Sequence, residues 1–232
     1  MNPVIPDIYE NDGLFDVFKL DPAVTPAIML KISQGNYYFA DHLNCWFTKM
    51  TAWIEKTLLI KQVYHGLDIG VDGKKQAEFF VSLYDPQMNK GDLWPVMDVE
   101  TGMNEADPNK IYTRQQICDC AGAFNSVIAQ EFGQPAIMYA GTYLRDNQLH
   151  VSQLGSLFGW LADWDATLPS YTYTSLGLTL PYVFGWQYAG KNGDGSVTVK
   201  LPNYIHTTPA GNADLSAIVV ANSVDDLKKF RL

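Results

Sequence analysis

Short apolar runs alternate with longer segments of helical periodicity in the first part of the chain. The runs have the length of buried β-strands and cover residues 4–8, 27–32, 58–64, 94–99 and 135–139. The segments between them place apolar residues at helical spacing over residues 42–55, 73–84 and 113–132, the last with Thr113 as N-cap. This alternation of strand and helix is typical of a parallel sheet.

The second part of the chain has strand-like runs with little helix between them. These runs cover residues 158–162, 182–188 and 213–220. The stretch 192–212 is rich in Gly, Pro, Asn and Thr, which favours a long surface loop or hairpin, and a last helix is predicted over residues 223–230. Eight strands joined first by helices and later by loops predict an α/β fold, an irregular TIM-like (β/α)5(β)3 barrel.

Composition and length agree with one folded domain. The chain has 232 residues, of which 47% are hydrophobic and 18% charged, as in globular proteins. This length suits one large domain or two small ones. Because no linker, low-complexity tract or internal repeat interrupts the pattern, we expect a single domain over residues 1–232.

The acidic balance of the chain excludes several classes of partner. Its 16 Lys and Arg residues against 25 Asp and Glu residues give a formal net charge of −9. Nucleic-acid binding needs a basic face, and the sequence has no basic cluster, since Lys228-Lys229 near its end is only a pair. No signal peptide and no run of ~18 apolar residues occur, so we expect synthesis in the cytoplasm and no membrane insertion.

Cysteine and histidine residues give no sign of a metal or cofactor. The three cysteines, Cys45, Cys118 and Cys120, are odd in number, which favours reduced thiols. The four histidines form neither a His-x-His nor a His-Glu-x-x-His pattern. The sequence therefore predicts no metal site and no cofactor.

Two carboxylates end the fourth predicted strand, which reads Pro-Val-Met-Asp-Val-Glu over residues 95–100. Asp98 and Glu100 are two residues apart, a spacing that places strand side chains on the same side, roughly 6.5–7 Å apart. Parallel barrels carry their active sites at this end of the strands. One carboxylate beside another holds its proton more tightly, as an acid catalyst requires. The alternative is an acidic loop that merely follows a strand.

Two further acids belong to the first and last predicted strands. Asp7 lies in the first strand and Asp214 begins the last. In a closed barrel these strands are neighbours, so Asp7 and Asp214 are expected side by side at the same mouth as Asp98 and Glu100. Each acid alone has a structural explanation, but four around one mouth indicate chemistry.

These motifs and their order along the chain resemble those of the family-25 glycoside hydrolases, the CH-type lysozymes that cut the glycan of bacterial cell walls. The family's Pro-Val-Leu-Asp-Val-Glu matches residues 95–100, and its Tyr-His after the third strand matches residues 64–65. Further motifs match, in chain order, residues 6–9, 13–17, 29–35, 76–80, 137–139, 160–162, 185–188 and 213–215. The chain differs where Gln34 replaces a usual acid and where Gly66 replaces a common aromatic residue.

The resemblance implies roles for the four acids. Glu100 matches the family's general acid, while Asp98, Asp7 and Asp214 match the other acids that line its site. Glycosidic cleavage needs a protonated acid at the leaving oxygen and a negative group near the oxocarbenium-like centre. We expect Glu100 to carry the proton beside an ionised Asp98. The acetamido group of the sugar can act as internal nucleophile, oriented by Asp98 or Asp214.

Aromatic and polar residues near the predicted strand ends are candidates for sugar binding. Sugar rings stack on aromatic faces, and tyrosine hydroxyls bond to sugar oxygens. The resemblance places Tyr64, Tyr139 and Trp186 at the cleft, with Tyr188 nearby and His65 as a hydrogen-bonding wall residue. Trp46, Trp53 and Phe79 lie in helical patterns, which favours the core for them.

The resemblance implies an endolysin-like N-acetylmuramidase that hydrolyses the MurNAc–GlcNAc β-1,4 bonds of peptidoglycan without a cofactor. It also implies a phage- or prophage-encoded protein, released through a separate pore, with no separate cell-wall-binding module. A non-catalytic peptidoglycan-binding barrel and a metal-dependent barrel hydrolase remain the alternatives. The acid pair argues against the first, and the lack of clustered histidines argues against the second.

Overall fold

Eight strands close into a barrel in the structure, a computed structural model. It describes residues 4–9, 14, 16–36, 46–87, 89–100, 107, 109–162, 170–189, 214–218 and 224–232. The strands are β1 Val4–Ile8, β2 Ala27–Gln34, β3 Ile60–Gly66, β4 Val96–Asp98, β5 Ile137–Ala140, β6 Gly159–Ala162, β7 Val183–Ala189 and β8 Asp214–Ile218. All eight predicted strands and the TIM-like architecture are confirmed.

The barrel is parallel except at its last strand. Neighbouring strands from β1 to β7 run parallel, whereas β8 runs antiparallel to both β7 and β1. The first residue of β8, Asp214, pairs with Asp7 in β1. Because β8 is reversed, it begins at the end of the barrel where the other strands finish. The predicted adjacency of the first and last strands is therefore confirmed.

Helices cover the outside of the barrel mainly in its first half. They are α1 Thr48–Ile54, α2 Gly73–Leu83, α3 Arg114–Phe132, α4 Thr142–Asp146 and α5 Ser170–Ser175. Thr113 caps α3 through a capping box with Gln116, as its position predicted. The sequence missed α4 and α5, because helices of five and six residues show no readable periodicity. The last predicted helix is a 3-10 helix, Val224–Phe230, and residues 192–212 lie outside the described part.

Strand alternation divides the core into a layer inside the barrel and a layer under the helices. In β4, Val96 belongs to the inner cluster with Tyr64 and Tyr139. Met97 and Val99 belong instead to the cluster beneath α2 and α3. Asp98 therefore shares the inner face of the barrel with Val96.

The amino-terminal end of the barrel is closed by the last 3-10 helix. Leu227 and Phe230 pack into the inner cluster, and Trp94, just before β4, donates its backbone N–H to the carbonyl of Phe230 at 2.8 Å. The rings of Phe230 and Phe184 meet edge to face, 5.0 Å between centroids. Among the described residues, side chains fill this end, which leaves the opposite end as the place for a site.

The α2–α3 contact depends on a glycine and gives a first prediction. A Cβ on Gly73 would overlap the carbonyl oxygen of Cys120 in α3, and the carbonyl carbon would lie at 2.8 Å. We expect Gly73→Ala to lower the free energy of unfolding by about 2–3 kcal/mol, because two backbones must separate. Gly122→Ala is the matched control, since a Cβ at Gly122 meets nothing within 4 Å. That change should stabilise α3 by up to about 1 kcal/mol.

Denaturant unfolding of both variants measures these effects. Equal changes in the two free energies would show that the close approach of α2 and α3 does not limit the residue at position 73.

Candidate active site

Three of the predicted acids come together at the open end of the barrel. Asp98 ends β4 on the inner face and is 7% exposed. Glu100 follows two residues later and is half-buried, and Asp7 lies in β1. The charges of both Glu100 and Asp7 act on Asp98. The structure therefore places these carboxylates within electrostatic reach of one another.

Asp98 is the buried member of this group. Burial raises the pKa of Asp98 well above its usual value, the carboxylate of Glu100 raises it further, Lys31 lowers it and Asp7 raises it. Its Oδ1 atom is buried and has no hydrogen-bond partner among the described residues. The sequence expects the proton on Glu100, whereas burial favours a proton on Asp98. The two carboxyls therefore titrate as a pair.

Glu100 reaches from the end of β4 towards the next two strands. A Cβ at Gly141, directly after β5, would lie 3.7 Å from Glu100 Oε1 and 3.9 Å from the Cβ of Ala162 in β6. A methyl group at position 141 would thus be in van der Waals contact with the carboxylate. Glu100 therefore lies at the end of β5, on the mouth side of the barrel.

For Asp214, the structure describes the backbone and not the side chain. Its pairing with Asp7 across the β1–β8 ladder puts it at the mouth of the barrel, and its side chain lies outside the described residues. The arrangement of four carboxylates is thus described for Asp7, Asp98 and Glu100, and for Asp214 it stays a prediction.

Lys31 is a site residue that sequence reasoning did not single out. It lies in β2, and its Nζ donates a hydrogen bond to Gln34 Oε1 at 2.7 Å. A register shift between Lys31 and Ser33 in the β2–β3 ladder allows Lys31 and Gln34 to face the same side of the strand. The signal available in the sequence was a lysine within the apolar strand of residues 27–32.

Two tyrosines of the predicted cleft lie inside the barrel. Tyr64 and Tyr139 are 8% and 9% exposed, and the Tyr139 hydroxyl donates to Gln187 Oε1 at 2.7 Å. Gln187 is buried and was missed, although it belongs to the matched motif at residues 185–188. Trp186, beside it in β7, is half-buried, and the side chain of Tyr188 lies outside the described residues.

The prediction that His65 lines the cleft is wrong. His65 is 0% exposed, with its ring nitrogens 2.8 Å from Ser33 Oγ and 3.3 Å from Gln76 Oε1. Its ring stacks on Phe124 of α3, 4.8 Å between centroids. Alternation along β3 sends Tyr64 into the barrel and His65 under the helices. Burial lowers the pKa of His65 to about 3, so it is a neutral core residue.

Two features of the described residues concern metal-dependent enzymes and membrane proteins. In that part of the chain, no three His, Cys, Asp or Glu side chains are grouped so as to hold a metal ion. None of the described helices has the length and apolar character needed to cross a membrane.

Comparison with known proteins identifies the family whose sequences resemble this chain. Residues 6–196 match the family model described as glycosyl hydrolases family 25. A comparison with curated proteins found no match.

Solved structures share the same fold at low sequence identity. A family 25 glycosyl hydrolase from Bacillus anthracis superposes with a TM-score of 0.73 at 16% identity, covering 99% of this chain and 94% of that one. A bacterial lysozyme from Streptomyces coelicolor has a TM-score of 0.70 at 16% identity, with coverages of 99% and 97%. The modular Cpl-1 endolysin, complexed with a peptidoglycan analogue, has a TM-score of 0.57 at 18% identity, with coverages of 97% and 56%.

Proposed function

The chain belongs to glycosyl hydrolases family 25 and is a glycoside hydrolase, and from this premise we propose that it is a lysozyme. It acts as a 1,4-β-N-acetylmuramidase on the MurNAc–GlcNAc bonds of bacterial peptidoglycan. The observation that carries the proposal is the pair of carboxyls at the barrel mouth, a buried Asp98 beside a half-buried Glu100. The peptidoglycan analogue bound to the similar endolysin supports the choice of substrate.

Glu100 is the general acid in this proposal. It is half-buried at the open end of the barrel, where a glycosidic oxygen can approach it. Its proton passes to that oxygen as the bond from the anomeric carbon breaks, so that the leaving sugar departs as a neutral alcohol. Glu100 is then ionised and accepts a proton from the incoming water in the second step.

Asp98 orients the reacting sugar. The residue is 7% exposed at the barrel mouth, so its carboxylate can accept the N–H of the sugar's acetamido group. The acetamido oxygen then attacks the anomeric carbon while Glu100 protonates the leaving oxygen, and water later opens the cyclic intermediate. A carboxylate beside the acetamido nitrogen stabilises the positive charge that this step develops.

Tyr64 and Tyr139 form the sugar-binding wall in this proposal, whereas Trp186 pairs with Leu161 of the cluster beneath the helices and stays a prediction. Tyr139 is held by Gln187, which fixes the direction of its hydroxyl group. Tyr188 remains a candidate for the same wall, since it neighbours Gln187 in the sequence. His65 has no part in it, because it packs under α3.

Its biological setting is also part of the proposal. We expect the barrel to perform hydrolysis without a cofactor. A role as an endolysin, made in the cytoplasm and released through a separate pore, agrees with the endolysin among the similar structures.

Analysis of digested peptidoglycan tests the proposed function. Purified walls are incubated with the protein, and the new reducing ends are reduced with borohydride and identified after acid hydrolysis. A muramidase gives muramitol, whereas glucosaminitol in its place would overturn the assigned bond. Binding to walls without release of reducing ends would support a glycan-binding barrel. Activity that is lost in EDTA and restored by a divalent cation would favour a metal-dependent hydrolase.

A further inference from the structure

Lys31 lies inside the barrel mouth and is not assigned a role by the reaction described above. Its ammonium group is held 2.7 Å from the amide oxygen of Gln34. The charge of Lys31 acts on Asp98 in β4 and also on His65 in β3. Because Gln34 is the last residue of β2, the hydrogen bond to its side chain places the ammonium at the mouth end of that strand.

Register explains how a lysine of β2 acts on an acid two strands away. Gln34 pairs with Gly66 in β3, and Gly66 pairs with Asp98 in β4. Because Gly66 has no side chain, nothing of β3 stands between Gln34 and Asp98 in this row of the barrel. The ammonium bound to Gln34 can therefore extend over Gly66 towards the carboxylate.

The other groups around Asp98 oppose its ionisation or are neutral. Glu100, beyond β4, and Asp7 of β1 are anions that act on Asp98, and Asp214 pairs with Asp7 through the backbone. The neighbouring strands contribute Tyr64 and Tyr139 on the inner face. Among the described side chains that act on Asp98, Lys31 is the cation.

We propose that Lys31 is a positioning residue that opposes the effect of burial on Asp98 and so favours its carboxylate form while Glu100 carries the proton. This inference rests on the proposed function, which needs that distribution of one proton over the two acids. Without the ammonium, burial and the two neighbouring anions act on Asp98 unopposed, and Asp98 binds the proton still more tightly. A neutral partner at position 34 matters equally, because an amide holds the ammonium without neutralising it.

Two substitutions weaken the effect of the ammonium on Asp98 by different routes. Lys31→Met removes the charge, and Gln34→Glu keeps the lysine but gives it a carboxylate partner. Both should move the acid-side inflection of kcat/KM upward by about one pH unit, the lower end of the shift that a nearby charge gives a carboxyl. Lys31→Arg keeps the charge and should return the inflection to its wild-type position.

A buried lysine elsewhere in the barrel provides the matched control. Lys61 lies in β3 towards the closed end, with its Nζ 3.3 Å from Asp92 Oδ2 and 3.0 Å from Asn89 Oδ1. Lys61→Met should lower the free energy of unfolding, because it leaves Asp92 without its ion pair. It should leave the pH profile unchanged, which separates an electrostatic effect at the site from a general loss of stability.

A titration of Asp98 decides the inference without relying on activity. The carboxyl carbon of Asp98 is followed by NMR in the Glu100→Gln background, where one member of the pair titrates alone. Adding Lys31→Met should raise the pKa of Asp98, and adding Lys31→Arg should not. An unchanged titration with Lys31→Met would overturn the role of Lys31, even if the wild type proves to be a muramidase. A raised pKa in a protein that does not hydrolyse peptidoglycan would uphold it while the proposed function fails.

Discussion

Glu100→Gln is expected to lower kcat on peptidoglycan by a factor of roughly 10²–10⁴, the range that one general acid contributes. The amide keeps the size and shape of the side chain but has no proton to give to the leaving oxygen. Because the side chain is half-buried and its size does not change, the substitution should not disturb packing. Loss of turbidity of wall suspensions and release of reducing ends measure the effect.

A surface glutamate serves as the control for this prediction. Glu78 of α2 has a side chain that is 56% exposed and pairs with Lys74 at 3.6 Å, so Glu78→Gln should leave kcat within a factor of two. The Glu100→Gln protein should still sediment with purified walls, because it loses the proton donor and keeps the sugar-binding wall. If it retains more than a tenth of wild-type activity, Glu100 is not the general acid.

The pattern of apolar runs was sufficient to predict the barrel. Each predicted strand carries a short buried run, and the long helices α2 and α3 have clear apolar faces. The acid pair at residues 98 and 100 was also predictable, because strand alternation and the position of active sites in parallel barrels are general rules. The short helices α4 and α5 were not, since they are formed by local turns in a packed environment.

The direction of side chains near the strand ends was less predictable. Tyr64 and His65 are consecutive in β3, so only one of them can enter the barrel. The resemblance placed both residues at the cleft, whereas in the structure His65 is buried in the layer under the helices. The register shift in β2 likewise brings Lys31 and Gln34 together. A β-bulge of this kind leaves no reliable mark in a single sequence.

The depth of each acid in the mouth could not be predicted either. Sequence spacing treats Asp98 and Glu100 as equivalent, and the resemblance assigns the proton to Glu100. Burial depends on how β3 and β5 flank β4, and in the structure it makes Asp98 the acid that resists ionisation. The further role for Lys31 follows from that asymmetry.

Asp98→Asn should lower kcat/KM by at least a hundredfold and at the same time stabilise the protein. An uncharged amide cannot stabilise the positive charge that develops when the acetamido group reacts. The same change removes a carboxylate that burial and two neighbouring anions make costly in the folded state. At pH 7 we expect the free energy of unfolding to rise by about 1 kcal/mol or more, a stability gained at the expense of activity.

The pH dependence of that gain has a defined sign. Because the folded-state pKa of Asp98 is raised, its protonated form stabilises the fold below the unfolded pKa, and this contribution is lost as pH rises through the folded pKa. The difference between Asp98→Asn and wild type should therefore be small near pH 3 and grow towards pH 7. Denaturant unfolding at several pH values measures this difference.

Asp92→Asn distinguishes a catalytic acid from a structural one. Burial also raises the pKa of Asp92, but its Oδ2 accepts the Tyr84 hydroxyl at 2.7 Å and pairs with Lys61 at 3.3 Å. Removing its charge leaves a buried lysine unpaired, so this variant should lose stability and keep its activity. If Asp98→Asn instead destabilises the protein at pH 7, the cost of burying its charge is compensated by contacts that stabilise the carboxylate. Asp98 would then be a structural acid like Asp92.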